Sequence, residues 1–113
     1  MTLGEKQRLF ARLVVALQQK MLDDGYEFTF GDAYRDPRVH GEYGTSKSYS
    51  HPKSTHKVRL AVDLNLFKDG TYLMATNDHL PFGEWWEKQH KLCRWGGRFN
   101  DGNHYSFEHE GIA

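Results

Sequence analysis

Apolar residues recur at helical spacing from the start of the chain. Leu3, Phe10, Val14, Leu17 and Met21, with Leu13 beside them, fall on one stripe, while Lys6, Arg8, Arg12, Gln19 and Lys20 lie mostly outside it. Thr2-Leu3-Gly4-Glu5 has the form of a capping box, so the helix opens there. It should close near Asp24-Gly25, where glycine takes the left-handed cap. The period then changes. Tyr26 to Phe30 alternates as a strand, and Gly31 to Pro37 leaves it through a turn. From Leu60 to Phe67 the alternation is strict, with Leu60, Val62, Leu64 and Leu66 on one face and Ala61, Asp63, Asn65 and Phe67 on the other. Lys68-Asp69-Gly70 is a turn signal and Thr71 to Met74 a second short strand, which together predict a hairpin. Phe82 to His90 reads as a helix with Trp85 and Trp86 near its buried face. His104 onward alternates again, with His104, Ser106 and Glu108 on one side and Tyr105, Phe107 and His109 on the other.

Between the first two strands, residues 39–53 are small, polar and aromatic, a loop of the length that is usually functional or mobile in a compact domain. His40 and His51 lie in it, and His51 reads as an exposed loop histidine; His79 and His90 read as structural or exposed. A chain of 113 residues has room for one domain, spanning 1–113, and one core.

Fifteen basic and fifteen acidic side chains cancel, which argues against a nucleic-acid partner, since such binders carry a basic excess or stripe. The single cysteine, Cys93, excludes an internal disulfide and a multi-cysteine metal site, and its apolar neighbours suggest a buried thiol. The N-terminus has no signal-peptide pattern and no apolar run reaches membrane-spanning length, so the expectation is a protein made in the cytoplasm, without membrane insertion. Seven histidines raise the prior for a metal or acid-base site.

Asp63 focuses that prior. It is an acid on an otherwise apolar strand, and a buried carboxylate needs a partner. A metal ion shared with His56 would be one. The other half of such a site is Asp101-x-x-His104, at the mouth of the last strand. Two histidines and one carboxylate leave a tetrahedral zinc ion one open position, the mark of a catalytic rather than a structural site. Asp101, next to the metal but outside its ligands, suits the role of general base, and Arg35, at a strand-to-loop exit, suits stabilisation of an oxyanion.

Ser54-x-His56-x(6)-Asp63 followed by Asp101-x-x-His104 resembles the signature of the M15 zinc metallopeptidases, the D-alanyl-D-alanine carboxypeptidase and dipeptidase group, and of their phage relatives, the L-alanyl-D-glutamate endopeptidase endolysins. Ala33-Tyr34-Arg35-Asp36-Pro37, the run from Arg59 to Gly70, and Arg94-Trp95-Gly96-Gly97 resemble the small phage members, and the likeness extends to Glu5-Lys6-Gln7-Arg8-Leu9-Phe10. Many family members have glycine where Arg59 stands and glutamate where Asp101 stands; the phage branch accepts both changes. The segment between Arg35 and Ser54 is the least family-like.

The resemblance implies an α+β fold, with a small antiparallel sheet and flanking helices of the Hedgehog/DD-peptidase kind. It implies one zinc ion on His56, Asp63 and His104, Asp101 as the catalytic base, Arg35 as the substrate-anchoring or oxyanion-stabilising cation, and Ser54 near the substrate. The expected activity is hydrolysis of peptidoglycan stem peptides by a monomer that reaches the cell wall after membrane permeabilisation. The alternatives are D-Ala-D-Ala carboxypeptidase activity and a non-catalytic, zinc-containing wall-binding module.

Overall fold

In the computed structural model, which describes residues 1–45 and 51–113, helix α1 (Leu3–Asp23) opens as its sequence dictates. Glu5 N–H donates to Thr2 Oγ1 at 3.2 Å and Thr2 N–H donates to Glu5 Oε1 at 3.0 Å, so two otherwise orphaned amides are satisfied reciprocally. At its other end Gly25 takes φ +86°, and Tyr26 N–H reaches back to Met21 O at 2.9 Å. Phe10, Val14, Leu17 and Met21 are buried; Leu3 is not, at 41% exposure, because the buried part of the stripe begins only at Phe10.

The helix covers a five-stranded antiparallel sheet. Its strands are β1 (Glu27–Phe30), β2 (Ala61–Lys68), β3 (Thr71–Leu73), β4 (Cys93–Trp95) and β5 (His104–Phe107), in the order β1-β2-β5-β4, with β3 also paired to β2. This is an α+β architecture. β2 is its axis: β1 runs along Leu64–Phe67, β5 takes Ala61–Asp63, and β3 takes Leu66–Lys68. The alternation read along β2 is realised, with Val62, Leu64 and Leu66 in the core and Asp63 and Asn65 on the opposite, half-covered face.

Three local features differ from expectation. Val39 and His40 belong to a single helical turn, α2 (Pro37–His40), rather than to the loop; positions 46–50 of that loop lie outside the described residues. Helix α3 (Leu80–Glu87) starts and ends earlier than the pattern suggests, with Pro81 in its first turn, where a missing N–H costs nothing. Trp86 is fully buried while Trp85 is only half-buried. Strand β4 was not foreseen: three residues are too few to display a period.

Trp86 joins the layers. Its ring meets Phe10 of α1 edge-on at 5.8 Å, and its indole N–H is shared between Arg94 O at 3.0 Å and Ser106 O at 3.2 Å on β4 and β5. Cys93 is buried as expected, and burial pushes its thiol up to about 12, which makes it inert. His79 is buried too, sharing a 2.8 Å hydrogen bond between its Nδ1 and the Tyr105 hydroxyl. His90 stacks on Phe107, its ring centroid 5.4 Å away, and His51 is exposed. Among the described residues no helix is long and apolar enough to cross a membrane.

Two outcomes follow from this packing. A Cβ at Gly83 of α3 would lie 2.0 Å from Trp95 Cδ2, and neither the helix backbone nor the indole can yield cheaply. Gly83→Ala should therefore cost about 3 kcal/mol and lower the melting temperature by roughly 10 °C in a thermal melt. Burial lowers the pKa of His79 to about 4, against a slight upward pull from Asp78, while the unfolded chain titrates near 6.5. Between those values the unfolded state binds the extra proton. The contribution is thus complete above about pH 6.5 and is lost as the pH falls towards 4, on the order of 3 kcal/mol in total. Denaturant titrations at pH 7 and pH 4 should show this difference shrinking in His79→Phe.

Candidate metal centre

β2 and β5 place the first two members of the site by register alone. Asp63 and His104 are Cα partners across the strands, so their side chains leave the sheet on the same face. The third comes from a turn of 3-10 helix, Thr55–Val58, capped by Ser54, whose Oγ accepts from His56 N–H at 3.3 Å. Arg59 ends that turn in the left-handed region at φ +57°, its guanidinium 4.0 Å from the centre of the Tyr34 ring.

Asp63 Oδ1 stands 3.3 Å from His56 Nε2 and 3.3 Å from His104 Nδ1, and the two imidazoles meet edge-on with centroids 5.0 Å apart. One potential ligand atom from each residue lies within 4.8 Å of the others. His56 is 1% exposed and His104 5%, so the cluster is almost wholly withdrawn from water. Burial pushes the Asp63 carboxyl up; protonated imidazoles of His104 and His56 outweigh burial by hydrogen bonds and charge and hold it at about 2, and where those nitrogens are bare a cation must take over that role.

The donor set fits a metal ion. His56 Nδ1 lies 3.3 Å from Ala33 O, a carbonyl that can only accept, so in the neutral imidazole that nitrogen carries the proton and Nε2 presents a lone pair. Nε2 faces Asp63 at 3.3 Å yet has no hydrogen-bond partner among the described residues. Two lone-pair donors facing each other in a dry site call for a cation between them. The two 3.3 Å separations also match the edge of a tetrahedron whose metal-ligand bonds are about 2.0–2.1 Å. With three protein ligands, a four-coordinate ion keeps one position open.

Arg35 and Ser54 are brought to the same corner. Arg35 Nη1 donates to Ser54 Oγ at 3.3 Å, its Nε faces Asp32 Oδ2 at 3.5 Å, and its backbone N–H donates to His56 O at 3.2 Å. Asp101 is placed differently. Its main chain abuts the cluster, with His104 N–H donating to Asp101 O at 3.1 Å, but its carboxylate is exposed and is not one of the three converging groups.

The side chains were legible in the sequence; their supports were not. Ala33 contributes through a carbonyl, which any residue has. Gly96 is needed because a Cβ there would lie 2.2 Å from Asp101 O and 2.6 Å from His104 Cβ. The Gly96-Gly97 pair was the visible signal for that close approach, although it read only as a loop marker. Thr55 Oγ1 and Ser106 Oγ, buried next to the candidate ligands in sequence and without hydrogen-bond partners among the described residues, carried no signal.

A cavity of about 430 Å³ lies between α1 and the turn after β1, with Phe10, Val14, Phe30 and Tyr34 among its mostly apolar lining; it reaches Ala33 and Arg59 but none of His56, Asp63 and His104. Comparison with protein-family profiles and with curated proteins finds no match to this chain.

Removing a ligand should separate metal binding from folding. His56→Ala and His104→Ala should each weaken zinc affinity by at least about 100-fold in a competition titration against a chromogenic chelator, whereas Asp101→Ala should bind zinc as the wild type does. Unchanged affinity in both histidine variants would refute the ligand assignment.

Proposed function

We propose that the chain is a zinc-dependent peptidase that hydrolyses peptidoglycan stem peptides, a phage endolysin of the L-alanyl-D-glutamate endopeptidase type on a Hedgehog/DD-peptidase-like fold. The observation that carries this reading is the convergence of His56, Asp63 and His104, from a turn and two strands, on one buried point, with Asp63 Oδ1 3.3 Å from a nitrogen of each histidine. The order of these residues, with Asp101 three positions before the last, agrees with the family signature.

Zinc held there supplies a Lewis acid that acidifies water and polarises the scissile carbonyl. The chain's own residues do the rest. Asp101, exposed beside His104, takes a proton from the attacking water and delivers it to the departing amine. Arg35, fixed by Ser54 and Asp32, offers a guanidinium to the carbonyl oxygen as negative charge develops on it. Ser54 thereby has two tasks, capping the turn that carries His56 and holding Arg35. Burial of His56 and His104 keeps competing water away from the ligands. The protein acts at the bacterial cell wall, reached after membrane permeabilisation, as a monomer.

Purified peptidoglycan incubated with the zinc-loaded protein should release new free amines, and mass spectrometry of the fragments should show N-terminal D-glutamate. Asp101→Ala should lower that rate by about 100- to 10,000-fold while retaining zinc. Loss of terminal D-alanine instead would point to the carboxypeptidase, and wall binding with no release by the wild type to a non-catalytic module.

A further inference from the structure

The cavity between α1 and the turn after β1 is not used by the metal centre. Its floor belongs to the core, with Phe10 and Val14 of α1 and Ala61 and Val62 of β2 all buried. Its rim is open, with Phe30 at 68% and Tyr34 at 42% exposure. At about 430 Å³ it falls within the roughly 300–1,000 Å³ of pockets that hold small molecules. Contiguous apolar surface with a polar group at its edge marks a ligand site, which single exposed apolar residues do not.

The lining holds one charged residue, Arg59, and no acid. Arg59 is half-buried, and among the described residues its guanidinium has neither a carboxylate nor a hydrogen-bond acceptor as partner. It lies over the Tyr34 ring, its Cζ 4.0 Å from the centroid. Stacking covers one face of the guanidinium and leaves the N–H groups on its edge to donate. Arg59 also stands in the left-handed region at φ +57°, a strained conformation for a residue with a Cβ that glycine would take freely. Gln7 adds a donor, since one amide hydrogen goes to Val58 O at 2.9 Å and the other is left. A cation with unspent donors, beside apolar walls and no acid, complements a molecule with an apolar body and one anionic end. One guanidinium balances one negative charge and offers parallel N–H groups to a carboxylate.

We propose that this cavity binds an amphipathic monoanion, an alkyl chain ending in a carboxylate, with the chain on Phe10, Val14 and Val62 and the carboxylate on Arg59. The site is separate from the metal centre and does not depend on the peptidase reading. It nevertheless meets that centre's supports. Ala33, whose carbonyl faces His56 Nδ1, lines the cavity, and Arg59 closes the turn that carries His56 by donating its N–H to His56 O at 3.4 Å. The bound molecule therefore rests against two of the residues that position His56.

The test is an NMR titration of decanoate and of decanol, each below the concentration at which it self-associates, into the protein supplied with one equivalent of zinc. Decanoate should bind about tenfold more tightly than decanol, as one charge-assisted hydrogen bond provides, with amide shifts centred on Ala33, Arg59 and Val62. Arg59→Gln, which keeps an extended polar side chain and the same backbone demand, should bring decanoate down to the level of decanol. Ala11 is exposed on α1 at the cavity wall, so Ala11→Trp fills the space without entering the core, and it should abolish binding of both molecules. Equal affinities for decanoate and decanol, a preference that survives Arg59→Gln, or decanoate shifts confined to Asp63 and His104 overturn the site. A peptide ending in a free leucine carboxylate that binds more tightly than decanoate would assign the cavity to a protein C-terminus. Self-association relieved by Ala11→Trp would assign it to a second copy of the chain. Either of these outcomes also overturns the proposal.

Discussion

Asp63 is an ionised carboxylate set into a buried strand, and the structure around it is arranged to make that tenable. The cross-strand pairing with His104 and the approach of His56 give it two nitrogens at 3.3 Å. The pairing exists only in one register. A slip of one residue between β2 and β5 would turn Asp63 into the leucine layer and bring Val62 to the metal face, so the hydrophobic pattern of β2 enforces the geometry of the site as well as the core. Asp63 N–H and C=O are occupied as well, by Asp32 O at 2.7 Å and Gly31 N–H at 2.8 Å. Gly31 has the room for this because it lacks the Cβ that would press on Asp63 Cβ at 3.1 Å.

What was legible in the sequence is what depends on side chains and their period. The capping box of α1, the two faces of β2 and the hairpin to β3 could be read because each repeats a pattern over several residues or uses a residue type with one strong preference. His56, Asp63, Asp101 and His104 stood out because their chemistry is rare on apolar strands and at strand mouths. The rest depends on main-chain atoms, or on elements too short to show a period. Ala33 orients His56 through its carbonyl, Gly96 acts by what it lacks, and β4 spans three residues. His79 and His104 show the limit most clearly. As letters they are equal, yet one is bonded to a tyrosine in the core and the other faces a carboxylate across a sheet.

The two corners of the site are built with different stiffness. His56 and His104 are buried and oriented by strand pairing, by a capped turn and by a backbone carbonyl. Asp101 and Arg35 come from irregular segments beside them, one exposed and one half-buried. Groups that bind a metal gain from rigid placement, whereas groups that must meet a substrate and exchange a proton gain from access. The contrast between the buried His56, Asp63 and His104 and the loop-borne Asp101 and Arg35 is in keeping with that distinction.

Asp63 and His104 are 41 residues apart in the chain, and between them run β3, α3 and β4. An ion gripped by both, and by His56 before them, therefore closes a long loop, as a disulfide would in a chain with more than one cysteine. Closing a loop of that size removes conformational freedom mainly from the unfolded chain. Such an ion would act as a staple, tying the helix-and-hairpin half of the domain to the half that carries Asp101. Withdrawal of the ion would loosen the relation between these two halves before it disturbed either of their cores.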